Sequence, residues 1–154
     1  MKKSVIAVSI MITASAVSAQ KINESEVPVN VKSAFQKQYP NAKKVKWEKE
    51  NNDFEAEFEL NKTETSAVFD SKGSFKEQEQ EIKLSELPKT VIDYCKKNYA
   101  DYQMEEASKI TDANGKISYE VELEKGKQKL EVFFDSNGNF IKKEDISNKA
   151  EDKD

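Results

Sequence analysis

The chain has 154 residues, enough for one ordinary domain or two small ones. All 25 of its basic residues are lysines and it has no histidine. That excludes His-based triads, general bases and metal ligands, and it argues against a nucleic-acid surface, where guanidinium contacts usually lead.

Residues 1–19 read as a secretory signal. Lys2 and Lys3 form the charged region, Val5–Val17 a short apolar core, and Val17-Ser18-Ala19 a small-residue cleavage site. The apolar run is shorter than the ~20 residues a spanning helix needs, so no membrane span is expected after cleavage. Loss of both lysines and no acid would leave the exported chain more acidic than the full chain's net −4. The exported chain keeps one cysteine, Cys95, so it has no intrachain disulfide and its stability must come from a packed core.

Ser25-Glu26-Val27-Pro28 then opens a helix, proline suiting the first turn where its missing N–H costs nothing. Val27, Val31, Ala34, Phe35 and Tyr39 recur at helical spacing, and Tyr39-Pro40 closes the element. A strand with Val45 and Trp47 pointing inward follows. The turn at Asn51-Asn52 leads to a second, where Phe54, Ala56, Phe58 and Leu60 alternate with Glu55, Glu57 and Glu59. A third points Thr65, Ala67 and Phe69 inward. The turn Asp70–Gly73 leads into a fourth, largely polar, from Ser74 to about Ile82.

The order then repeats. Ser85-Glu86-Leu87-Pro88 opens a second helix, striped by Leu87, Val91, Tyr94, Cys95 and Tyr99. Tyr119, Val121 and Leu123 match the second strand, and Leu130, Val132 and Phe134 the third. VFFDSNGNF at Val132–Phe140 matches AVFDSKGSF at Ala67–Phe75. The second copy is longer near Ile110–Lys116, where Asn114-Gly115 marks a longer hairpin turn. The fold expected is α+β, a tandem repeat of one helix packed on a four-stranded antiparallel meander. Its boundaries are 26–82 and 85–146, with a polar, disordered tail at 147–154.

The paired S-E-[VL]-P openings, the Tyr39-Pro40-Asn41-Ala42 helix exit and the two F-D-S-x-G-x-F hairpins resemble the PepSY-like family, also described as β-lactamase-inhibitor-protein-like. The resemblance spans roughly residues 26–146. It implies a non-enzymatic periplasmic or secreted domain that binds or inhibits a protein. The second copy departs at its helix exit, where Ala100-Asp101-Tyr102 replaces Pro40-Asn41-Ala42.

Cys95 lies on the inward stripe and reads as a buried small hydrophobe. Asp135–Asn139 resembles the start of a calcium loop but lacks the closing glutamate, Ile146 standing there; turn chemistry explains it. Glu55, Glu57 and Glu59, with Glu120, Glu122 and Glu124, face outward at ~7 Å spacing along their strands. That overlaps the separation of glycosidase carboxylates, but any E-x-E strand gives it, and no catalytic residue, metal or cofactor is assigned. These rows read either as a solvated face or as an acidic surface. Val68 and Phe133 are equivalent and alternate onto the same outward face. They read either as anchors of a binding surface or as cover for neighbouring parts of the fold. The binding residues expected are therefore Val68, Phe133, Glu55, Glu57, Glu120 and Glu122. The partner is another exported or envelope protein; the alternative is a cation- or small-ligand-binding envelope protein using the glutamate rows.

Overall fold

A computed structural model describes residues 20–147, which form an α+β structure of two α-helices and nine strands. The signal segment and residues 148–154 of the expected tail lie outside the described residues. Among those described, no helix is long and apolar enough to cross a membrane. The chain divides into two compact units between Glu79 and Gln80.

In the first unit, β1 (Gln20–Ile22) leads through a 3-10 turn (Glu24–Glu26) into α1 (Val29–Gln38). The Glu26 carboxylate accepts from the Asn23 backbone N–H at 2.9 Å, closing a capping box. Strands β2 (Lys43–Glu50), β3 (Asp53–Leu60), β4 (Thr63–Asp70) and β5 (Phe75–Ile82) follow. β1–β2, β2–β3 and β3–β4 pair antiparallel. Val31 and Phe35 of α1 are buried against Trp47, Phe54, Ala56, Phe58, Ala67 and Phe69. The Phe35 ring meets Phe58 at 5.1 Å and Trp47 at 5.2 Å, both edge-on, the arrangement aromatic quadrupoles favour. Val45 departs from its expected inward position. Lys44 adopts φ +56 and the register shifts between Lys43 and Lys46, a bulge that leaves Val45 38% exposed.

The second unit builds α2 (Lys89–Asn98) after a 3-10 turn (Leu84–Glu86), then β6 (Gln103–Asp112), β7 (Ile117–Lys125), β8 (Gln128–Asp135) and β9 (Phe140–Asp145). β6–β7, β7–β8 and β8–β9 pair antiparallel. Val91 and Cys95 of α2 are buried against Ala107, Val121, Leu123, Val132 and Phe134. The missing proline does not move the helix exit. Tyr99 N–H reaches Cys95 O at 2.8 Å, as Tyr39 N–H reaches Phe35 O at 2.8 Å. Ser147, expected to begin the tail, is held: its hydroxyl accepts from Lys129 N–H at 3.0 Å and donates to Asp145 at 2.5 Å.

One turn recurs three times. Asp70, Asp112 and Asp135 each accept on a side-chain oxygen from the backbone N–H groups two and four residues on. Each turn closes on a glycine at positive φ, Gly73, Gly115 and Gly138. In the first and third, the glycine lies against the first turn of its unit's helix. A Cβ on Gly73 would meet Asn30 O at 2.8 Å, and one on Gly138 would meet Thr90 Oγ1 at 2.0 Å. Asn30 Nδ2 and Thr90 Oγ1 donate to the carbonyls of Ser71 and Asn137, so the turn and helix hold each other.

Candidate functional site

Strand alternation gives each sheet a second face, away from its helix. In the first unit the β1–β4 ladder sets Lys21 opposite Glu48, Glu48 opposite Glu55, and Glu55 opposite Val68. The next row sets Lys46 opposite Glu57 and Glu57 opposite Ser66. Gln78 accepts from Tyr39 OH on the helix side at 2.8 Å, so alternation places Glu77 and Glu79 of β5 on the second face as well. Lys44 pairs with Glu59 at 2.8 Å and Lys76 with Asp53 at 2.7 Å.

Of the two readings of these rows, the solvated face does not hold at the centre of this one. Glu48 and Glu55 are each 7% exposed, Ser66 2% and Glu79 1%. Burial pushes the Glu55 carboxyl up to about 8; the Ser66 hydroxyl bonded to it acts the other way, and Glu57, Glu48 and Glu50 push it up further. Among the described residues, Glu55 Oε1 has no hydrogen-bond partner.

In the second unit one row consists wholly of glutamates: Glu106 opposite Glu122, Glu122 opposite Glu131, and Glu131 opposite Glu144. Lys129 pairs with Glu122 at 2.7 Å and reaches Glu124 at 3.5 Å, which raises the Lys129 pKa. The neighbouring row is Ser108, Glu120, Phe133 and Lys142. The Lys142 ammonium sits 4.4 Å from the centre of the Phe133 ring and pairs with Glu144.

Phe133 is therefore not an exposed anchor. It is 2% exposed, and the reading that it packs under other parts of the fold is the one the structure supports. Glu120 is buried too, while Glu57, Glu122 and Val68 are half-buried. Alternation shows which side a residue takes but not how far long neighbouring side chains cover it. The turn at Asp135 uses its carboxylate entirely on backbone and Asn139 donors, as turn chemistry requires. No group of three carboxylates, cysteines or histidines among the described residues converges to hold a metal ion.

Residues 15–76 and 56–142 both match the family model described as "Putative beta-lactamase-inhibitor-like, PepSY-like". The chain belongs to this PepSY-like family. No curated protein matches it. Among solved structures it is similar to a DUF2874 family protein from Bacteroides uniformis, at TM-score 0.70 and 21% identity over 78% of this chain and 90% of that one. It is also similar to a protein from Bacteroides eggerthii described as one of the "putative periplasmic proteins" (TM-score 0.72, 19% identity, 79% and 91% covered). A BLIP-like protein from Bacteroides fragilis matches with TM-score 0.64 and 22% identity over 78% and 87%. At these identities the likeness establishes the fold alone.

Proposed function

We propose that this PepSY-like chain is an exported, non-enzymatic protein-binding module, an inhibitor among the roles open to it. Its two repeats, each a helix on a four-stranded meander, use the sheet face away from the helix. One observation carries the reading: that face concentrates carboxyls far beyond the lysines that offset them, while the helix side is consumed by the core. A one-signed surface steers a partner of opposite sign and raises its on-rate. Glu57 and Val68 on the first unit's face and Glu122 on the second unit's face are half-buried. The Bacteroides neighbour described as periplasmic fits an exported chain, as does the Lys-Lys, apolar, Val-Ser-Ala start of the sequence.

The test is capture from a native envelope extract by tagged protein. The expected result is an envelope protein retained by wild type and by Lys97→Glu on α2, and lost by Glu57→Lys/Glu122→Lys. Equal capture by all three, or no capture, contradicts the proposal.

The row Glu106–Glu122–Glu131–Glu144 favours a second reading, a cation- or small-ligand-binding envelope protein. Calorimetric titration with calcium separates the two. The protein-binding reading expects no saturable heat, and the second reading expects a defined stoichiometry.

A further inference from the structure

The residue that follows the expected cleavage site is a glutamine. Removal of residues 1–19 at Val17-Ser18-Ala19 gives Gln20 a free α-amine. A glutamine in that position can close a lactam ring on its own nitrogen. Gln20 begins β1, opposite Lys49 of β2, and is exposed, so its side-chain amide has room to turn back on the α-nitrogen. The ring takes up only the nitrogen and side chain of residue 20. Its Cα and carbonyl keep their place in the ladder.

The strand that Gln20 heads is short and exposed to loss. β1 has three residues and, among those described, one strand neighbour, β2. Ile22 stands opposite Trp47 and packs against the core of the first unit. Chain ends fray and are cut more readily than the elements they lead into. Stepwise removal of Gln20, Lys21 and Ile22 would abolish the strand and take Ile22 from that core.

We propose that Gln20 of the exported chain is a modification site, closed to pyroglutamate, and that the ring shields β1 from aminopeptidases. The neutral α-amine attacks Cδ of its own side chain. The N–Cδ bond forms, the Cδ–Nε2 bond breaks, and ammonia leaves with a proton from the amine. Nothing is oxidised or reduced and no co-reactant is consumed. The product lacks the primary amine that an aminopeptidase must hold. This inference rests on export of the chain and not on the binding face.

The test uses the native chain, purified from the envelope fraction of the cells that make it. Its amines are dimethylated under denaturing conditions before digestion, so that ring closure during handling cannot imitate the modification. Cleavage after glutamate then releases Gln20–Glu24. The expected peptide is lighter by one ammonia than its open form and carries methyl groups on Lys21 alone. A Gln20–Glu24 peptide methylated at its own N-terminus overturns the inference and leaves export standing. A chain that retains residues 1–19 overturns both. Gln20→Ala, which cannot form the ring, should lose the residues of β1 when the intact protein is incubated with a purified aminopeptidase, while wild type keeps them. Equal retention of β1 in the two proteins overturns the shielding.

Discussion

The Lys142 ammonium caps the Phe133 ring at 4.4 Å, on the sheet face away from α2. An aromatic ring is thereby kept from water by a charged side chain that is itself only half-buried. Phe133→Ala should therefore cost about 3–5 kcal/mol in denaturant unfolding, the range for a buried aromatic. Lys142→Met, which keeps an aliphatic cover, should cost about 1 kcal/mol or less. A Phe133→Ala variant as stable as wild type would show that the ring is exposed in solution.

Stability should fall as pH rises from about 5 to above 8. The Glu55 carboxyl sits near 8 in the folded chain and near ~4.3 when unfolded. Between those values the folded state binds more protons, so its stabilisation is complete below the unfolded value and is lost as pH passes the folded one. The slope from this one group is at most about 1.4 kcal/mol per pH unit. Glu55→Gln should flatten the profile in that window when urea midpoints are compared from pH 5 to 9. An unchanged profile would place the linkage on other groups.

Burial pushes the Cys95 thiol up to about 11, leaving almost no thiolate at neutral pH. A thiol reagent at pH 8 should label it at the rate of unfolding, and quickly once denaturant is added. Fast labelling of the native protein would mean that α2 does not cover it.

Three turns of one design allow a comparison within the molecule. Gly115 and Gly138 both hold positive φ, but a Cβ meets nothing within 4 Å at Gly115 and strikes Thr90 at Gly138. Gly115→Ala should cost about 1–2 kcal/mol, the backbone term alone. Gly138→Ala should cost clearly more, and Gly138→Ala/Thr90→Ser, which retains Oγ1 but removes a methyl, should recover little. Equal losses at the two glycines would mean that the turn is not seated on α2.

Much of this was legible in the residues. The stripes Val31-Phe35 and Val91-Cys95, the alternation at Phe54–Phe58 and the two F-D-S-x-G-x-F hairpins place the helices, strands and turns correctly. Two features needed a finer comparison. β1 is too short to show alternation, yet Gln20-Lys21-Ile22 is echoed by Gln80-Glu81-Ile82 at the end of β5, each leading into a 3-10 turn. Asp112-Ala113-Asn114-Gly115 is a third copy of the aspartate turn, and the added length of the second repeat goes into β6, β7 and this turn. The bulge at Lys44 gave no signal, because a lysine at positive φ is set by the ladder rather than by propensity. The burial of Glu55, Glu120 and Phe133 was also hidden. It depends on how neighbouring side chains lie across the strands, and sequence parity says nothing of that.

The claim that the sheet face away from the helices receives the partner is tested most directly by site-specific photocrosslinking in intact cells. A photoreactive residue replaces Glu57 or Glu122 on that face, or Lys97 on the exposed side of α2. Adducts to one envelope protein from positions 57 and 122, and none from 97, are the result this account predicts. Adducts from position 97 with none from 57 or 122 would contradict it.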